Sequence, residues 1–141
     1  MSNPQQIQLR AFSEYFEQNH VAPVLQSHLA IILAKRTNFV GTKTLCGALK
    51  TVQIGLKFRP TRQLIQDHIN AIMYEISLPL MLITQADVDL WQENPIEYVR
   101  TQVDQSNPFN VRSIVKLLVQ QVCMIKQSKK EKVSQHLQAY L

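Results

Sequence analysis

The side chains of this sequence that could do chemistry are a group of carboxylates and four histidines. The carboxylates lie close together in the sequence, at Asp87, Asp89, Glu93 and Glu97. A calcium-type site needs ligands at alternating positions around a glycine-assisted turn, and this segment has no glycine. No histidine has another histidine or a cysteine four residues away, the spacing that puts two metal ligands on one helix face. We therefore expect no metal site.

Enzymes that use a nucleophilic residue or bind a nucleotide often carry characteristic sequence motifs, and this sequence contains none of the following. It has no glycine-rich phosphate loop, no G-x-S-x-G nucleophile elbow and no dinucleotide-binding fingerprint. We expect that the protein is not an enzyme, that it has no catalytic residues and that it binds no cofactor.

The acidic cluster is better suited to binding a basic protein. Five of the ten acidic residues of the chain lie between Asp87 and Asp104, and a cluster of one sign attracts partners of the opposite sign. Asp87, Asp89 and Glu93 are therefore candidate partner-binding residues. They flank the only tryptophan, Trp91, which we interpret as a packing anchor with a solvated acidic rim.

A second candidate binding surface is basic. No acidic residue occurs between Gln18 and Gln66, whereas Lys43, Lys50 and Lys57 repeat every seven residues. On a helix these lysines fall nearly opposite an apolar stripe. The stripe is Leu45, Leu49, Val52 and Leu56. The lysines form either a solvated face or a patch for an acidic partner or nucleic acid phosphate. No aromatic residue is interleaved with them, so we do not expect base stacking.

Composition predicts a folded, all-α protein. The chain has 141 residues, of which 45% are hydrophobic and only 3 are glycine, and its net charge is +5. The longest apolar run, Leu78 to Ile83, is far shorter than the ~20 residues of a membrane span, so we expect a soluble protein with no membrane contact. Cys46 and Cys123 lie in apolar helical patterns and are expected to be buried, reduced thiols.

The apolar periodicity divides the chain into helical hairpins. We predict a first hairpin at 1–38, a second at 39–83, an acidic loop with Trp91 and a short helix at 84–106, and a third hairpin at 107–141. The second hairpin, about 40 residues with two helices, has the size of a HEAT repeat. The predicted fold is an α-solenoid of antiparallel hairpins with two to three HEAT-like repeats.

Helix-start signals divide the acidic segment more finely. Thr84 and Asp87 have the spacing of a capping box. Asn94 followed by Pro95 marks a second start, because proline is favoured at the first helical position.

Residues 77–100 carry a family resemblance. From Asp87 to Arg100 the sequence resembles the pattern D-x-x-x-W-x-x-[DN]-P-x-E-[YF]-[IV]-R of importin-beta superfamily receptors, above all the branch with importin seven and importin eight. The motif residues include Trp91, Pro95, Tyr98 and Arg100. We place the resemblance over most of residues 20 to 127.

The resemblance implies a HEAT-repeat segment from the middle to C-terminal part of a karyopherin-type nuclear import receptor. Such a receptor works by binding proteins and changing curvature, and it catalyses no reaction. Its implied partners are protein cargo, the GTPase Ran and nuclear pore proteins, and its implied location is both cytoplasm and nucleus. The resemblance assigns none of these partners to particular residues of this chain.

Two alternatives remain open from the residues themselves. One is a free-standing basic helical adaptor that docks through Lys43, Lys50 and Lys57, and the other is a nucleic-acid-binding helical domain. An excised solenoid segment would expose apolar helix faces at its ends and self-associate, whereas an adaptor would be a compact monomer.

Overall fold

The computed structural model describes residues 3–104 and 106–139, with side chains described as far as residue 130. Secondary structure within these ranges is entirely helical, as the composition predicted. The helices are α1 (Pro4–Asn19), α2 (Val21–Ala34), α3 (Thr42–Gly55), α4 (Arg59–Gln66), α5 (69–81), α6 (Gln85–Glu93), α7 (Pro95–Val103) and α8 (Val111–Ala139). The predicted all-α, HEAT-like architecture is confirmed.

The core is organised around α3, which packs against α2, α4 and α8. The predicted apolar stripe of α3 is buried along its whole length, since Leu45, Leu49, Val52 and Leu56 are each at most 3% exposed. Each buried side chain of this size stabilises the fold by about 1.5–3 kcal/mol. Further buried residues come from the surrounding helices: Leu25, Leu29, Ile32, Ile65, Ile72, Ile76, Ile114, Val115, Leu118 and Val122.

Contacts at the helix ends give the directions of the helices. A Cβ atom at Gly55 would lie 2.9 Å from Cδ1 of Ile65 and 3.6 Å from Cδ1 of Leu25. The end of α3 therefore meets the start of α2, so α2 and α3 are antiparallel, and glycine lets α4 approach α3 closely. In the same way α5 and α8 are antiparallel, because the end of α5 lies beside the start of α8.

The chain begins with α1, within the segment predicted as a first hairpin at 1–38. α1 connects to α2 through the single residue His20, whereas a helix reversal takes about 2–5 loop residues. α1 contacts α2 but buries none of its own side chains, and the division of the chain into a first hairpin at 1–38 stays a prediction.

Two predicted boundaries differ after residue 83. The segment predicted as an acidic loop contains a helix, α6, which begins at the predicted capping box of Thr84 and Asp87. The third hairpin predicted at 107–141 is one continuous helix, α8. The polar stretch 126–132 has no glycine or proline, and lysine, glutamine and glutamate are good helix formers, so nothing there ends the helix.

Proline shapes the second half of α5. This helix consists of Ile69–Ala71, a π-helical segment Ile72–Ser77 and Leu78–Met81. Pro79 lacks an N–H and its ring would clash with the carbonyl group four residues earlier in a regular α-helix. The wider π turn precedes it, and the Leu78 N–H bonds to the Met73 carbonyl, five residues back. The backbone thus accommodates Pro79 by changing the helix type before it.

The stretch 69–93 is long and apolar enough to span a membrane by length and composition, since 18 consecutive residues reach a mean hydropathy of 1.2. The structure divides this stretch, because Leu82 leaves the helical conformation with ψ at 149°. A break of this kind would leave backbone groups without hydrogen bonds in a bilayer. Length and composition therefore do not make this stretch a membrane helix.

Candidate functional site

The candidate site is the α6–α7 hairpin, residues 84–104, whose two helices begin with strong caps. The Thr84 N–H donates to Oδ2 of Asp87 at 2.7 Å, and the Asp87 N–H donates to Oγ1 of Thr84 at 3.2 Å. At the second helix, the Glu97 N–H donates to Oδ1 of Asn94 at 3.1 Å. These side chains satisfy amide groups that a helix start leaves unpaired. Both predicted helix starts are confirmed.

Arg112, at the beginning of α8, links this hairpin to the rest of the molecule through hydrogen bonds. Its Nη2 lies 2.7 Å from Oδ2 of Asp87, and its Nη1 donates to Oε1 of Gln102 at 2.8 Å. A third bond runs from Nη2 to the Leu82 carbonyl at 2.9 Å. Asp87 opens α6 and Gln102 lies near the end of α7, so one guanidinium holds both ends of the hairpin together.

The electrostatics of this contact favour the charged forms of both partners. The Asp87 carboxylate is 15% exposed and the Arg112 side chain 27% exposed. The hydrogen bonds from Arg112, and then those from Thr84, hold the pKa of Asp87 well below its usual range. The hydrogen bonds to Asp87 in turn raise the pKa of Arg112. Asp87 is therefore a structural carboxylate here, which its prediction as a partner contact did not anticipate.

The remaining predicted acids lie on the outer surface of the hairpin. Asp89 is exposed and accepts a bond from Nε2 of Gln85 at 2.8 Å, and Glu93 is exposed as well. Glu97 is partly covered and pairs with Nη1 of Arg100 at 3.1 Å. Asp89 and Glu93 therefore keep the accessibility that a contact with a basic partner requires.

The hairpin also exposes apolar side chains beside these acids. Trp91 is 52% exposed and packs edge-on against Tyr98, with ring centroids 5.4 Å apart. This contact joins α6 to α7 but does not anchor the hairpin in the core. Along α7, exposed fractions of 72%, 49% and 67% occur at Ile96, Val99 and Val103, a spacing that places them on one helix face.

The predicted lysine stripe of α3 does not form one open face. Nζ of Lys43 lies 5.3 Å from the centre of the Phe109 ring, and Nζ of Lys50 lies 5.9 Å from it, which is the geometry of a cation–π contact. Lys50 also donates to the Pro108 carbonyl at 2.6 Å. Of these three lysines, Lys57 alone is exposed without such a contact to another described residue. Two of the three lysines thus hold the loop before α8.

Sequence reasoning missed Arg112, the residue that organises the site. A signal for it exists, because Arg112 is the only charged residue in the segment Val111–Val115, which is otherwise apolar except for Ser113, and a charge in such a setting is expected to have a partner. The identity of the partner could not be read from the sequence, since Asp87 lies 25 residues away.

A cleft of about 380 Å³ lies beside this ion pair, with Leu80, Asp87, Gln102 and Arg112 among its lining residues. Arg112 bonds to Asp87 and Gln102 across it, whereas Nε of Arg112 is buried without a hydrogen-bond partner among the described residues. Across the described residues, no three histidine, cysteine or acidic side chains come together as a metal site would require. The arrangement can bind through charge and apolar contact, and it presents no nucleophile with an adjacent base.

Comparisons with known proteins agree with this architecture. An importin beta-like SAD2 homolog of Arabidopsis thaliana is 31% identical over 96 residues, which is 67% of this chain and 9% of that protein. The chain is a relative of the importin-beta superfamily. Importin-8 of Homo sapiens is 28% identical over 94 residues, and Importin-8 of Mus musculus is 27% identical over 94 residues. Each of these alignments covers 66% of this chain.

This importin relative spans 9% of the length of the curated proteins it matches. No family model matches the chain, and no solved structure does. The relationship therefore concerns one segment of a long receptor, and the activities of the whole receptors are not thereby activities of this chain.

Proposed function

We propose that this chain is a non-catalytic, protein-binding scaffold of nuclear import, equivalent to a HEAT-repeat segment of a karyopherin-type receptor. Its relationship to the importins supports this function. Protein cargo, Ran and nuclear pore proteins are its proposed partners, in the context of a receptor, and the cytoplasm and nucleus are its proposed locations. None of these partners is assigned to a residue through the relationship alone.

We further propose that the α6–α7 hairpin contacts a basic segment of a protein partner. The observation that carries this proposal is the pairing of exposed acids with exposed apolar side chains on one hairpin. Asp89 and Glu93 supply charge, while Trp91 and Ile96 supply apolar area. Aromatic side chains with exposed acids nearby are suited to hold the stems and charges of lysine and arginine.

A titration with a fluorescently labelled, lysine- and arginine-rich peptide tests this contact by anisotropy. The double substitution Asp89→Lys with Glu93→Lys should weaken binding by about tenfold, because two attractions become repulsions. The matched control is Glu14→Lys with Glu17→Lys on α1, which changes the net charge equally and should alter binding by less than about twofold. Equal weakening by both pairs would show that net charge governs binding and would contradict a site on the hairpin.

The lysine-dependent alternatives are less well supported by the structure. A free-standing adaptor or a nucleic-acid-binding domain would need Lys43, Lys50 and Lys57 to be available together. Lys43 and Lys50 instead contact Phe109, and Lys50 bonds to Pro108.

A further inference from the structure

The end of the molecule away from the α6–α7 hairpin carries a second groove, here called the α4–α8 groove. It has a volume of about 270 Å³. Its lining residues are Leu56, Arg62, Gln66, Ile69, Asn70, Val122, Ile125, Lys126 and Lys129. The groove begins ten residues along α8 from Arg112, so about 15 Å separates it from the ion pair that holds the hairpin.

The floor of the groove is aliphatic. Leu56 and Val122 are at most 4% exposed and belong to the core, while Ile69 and Ile125 are partly covered and pack against it. The described lining residues include no aromatic side chain, so they offer nucleic acid bases no stacking surface. A groove of this size is slightly smaller than the ~300–1,000 Å³ of typical small-molecule sites, which suits the insertion of one or two side chains.

The rim of the groove is cationic. Val122, Ile125, Lys126 and Lys129 follow the spacing of a single helix face, so the apolar floor continues directly into two lysines. Both lysines are exposed, and neither forms an ion pair with another described side chain. Among the described side chains, no acidic residue lines the groove.

Arg62 forms the opposite rim and is held in place by the end of α3. Its Nε donates to the Leu56 carbonyl at 2.8 Å and its Nη2 to the Lys57 carbonyl at 3.4 Å. A cation at a helix C-terminus is favoured by the helix dipole. Among the described residues Nη1 of Arg62 has no partner, so a fixed donor remains for a ligand. Gln66 and Asn70 add amide groups along the same wall.

We propose that the α4–α8 groove binds an acidic amphipathic segment of a partner protein. Aliphatic side chains of that segment lie on the floor, and its carboxylates meet Lys126, Lys129 and Arg62. Charge complementarity identifies the occupant, because an apolar floor with three cations, and no acid among its described lining residues, favours a ligand that is apolar and anionic at once. This proposal concerns a different surface and a partner of opposite charge from the proposed function, and neither depends on the other.

The test uses the full 141-residue chain and a labelled synthetic peptide that forms an amphipathic helix of leucine and glutamate. Anisotropy should show saturable binding. Lys126→Glu should weaken binding by about five- to tenfold, since one attraction becomes a repulsion. The matched control is Lys116→Glu, an equally exposed lysine ten residues earlier on α8, which should change binding by less than about twofold. Circular dichroism of both variants should match that of the parent chain, because both side chains are exposed.

Four outcomes would overturn the proposal. The first is that the peptide shows no saturable binding, and the second is that Lys126→Glu and Lys116→Glu weaken binding equally. The third is that a peptide in which serine replaces every leucine binds as tightly as the original peptide. The fourth is that a single-stranded oligonucleotide, whose own binding depends on Lys126, displaces the peptide. The third outcome would exclude the apolar floor, and the fourth would identify a phosphate site instead. Loss of binding with basic peptides, by contrast, bears only on the α6–α7 hairpin.

Discussion

At the scale of single residues, Asp87 combines two stabilising contacts in one carboxylate. It caps the first turn of α6 and pairs with Arg112 on α8. The folded pKa of Asp87 lies below its ordinary value, so the fold stabilises the ionised form. The resulting stabilisation is fully present above the unfolded pKa, about 3.9, and is lost as the pH falls toward the lower folded pKa.

Replacing Asp87 by Asn should therefore destabilise the chain in a pH-dependent way. At pH 7 we expect the free energy of unfolding to fall by about 1–3 kcal/mol, because Arg112 remains partly shielded from water but loses its charged partner. The loss should shrink below about pH 4, where the parent chain itself loses this contribution. Urea unfolding of both proteins at several pH values measures the difference.

Asp89→Asn is the control for that experiment, since Asp89 is exposed on the same helix and has no cationic partner among the described residues. Its effect should stay within about 0.5 kcal/mol at neutral pH. A constant difference between the Asp87→Asn variant and the parent chain across the whole pH range would contradict the stabilising ion pair.

Residue-scale features differed in how well the sequence could predict them. Caps are local, so Thr84 and Asn94 could be recognised from neighbours within three residues. The Arg112 contacts and the cation–π contacts of Lys43 join residues far apart in the chain, and a single sequence carries no information about such pairs. Cys123 was expected to be buried and is exposed, because the apolar pattern of α8 is wider than the face that α8 buries.

At the scale of helices, the π-helical part of α5 leaves one polar group without a bond. Ser77 is fully buried, and its Oγ has no hydrogen-bond partner among the described residues. In a regular helix a serine hydroxyl commonly bonds to a carbonyl group one turn back. The widened turn before Pro79 changes that geometry.

Replacing Ser77 by Ala should consequently stabilise the chain by about 1 kcal/mol, because a buried unbonded hydroxyl costs roughly that much. Ser27→Ala provides a comparison, since the Ser27 hydroxyl is exposed and bonds to the Pro23 carbonyl at 2.9 Å. That variant should differ little from the parent chain in denaturant unfolding. Marked destabilisation by Ser77→Ala would mean that the hydroxyl is bonded in solution.

Helix boundaries were predictable where a capping residue or a proline marks them and not elsewhere. α7 begins at the predicted proline, Pro95. The boundary between α4 and α5 at Asp67 and His68 has no glycine or proline to signal it. The single helix α8 differs from the hairpin predicted at 107–141 for the opposite reason, since the polar stretch 126–132 has no breaker and continues as helix.

At the scale of the whole molecule, large apolar side chains remain uncovered at its N-terminal helix. On α1, Phe12 is 65% exposed, Tyr15 is 58% exposed and Phe16 is 42% exposed. Contiguous apolar surface of this kind promotes association between protein molecules. The exposure of this face could not be predicted from the sequence, because periodicity shows which residues share a helix face and not what covers that face.

The chain should therefore self-associate in sedimentation velocity at micromolar concentration, and Phe12→Ser with Phe16→Ser should shift it toward the monomer. Gln6→Ser with Gln18→Ser, on the same exposed helix, should leave the distribution unchanged. A compact monomer for the parent chain at every concentration would contradict this expectation and would favour a free-standing adaptor.

The two cysteines differ in accessibility, since Cys46 is buried and Cys123, on α8, is exposed. Burial raises the pKa of the Cys46 thiol, and the charge of Lys50, which lowers that pKa, offsets only part of the effect. The raised pKa keeps the thiol protonated and makes Cys46 a poor nucleophile in the folded chain. Cys123 is exposed and directly follows Val122, a residue that lines the α4–α8 groove, in the sequence. A maleimide dye would accordingly attach at one place in the native chain, so partner docking can be followed optically without introducing or removing any amino acid.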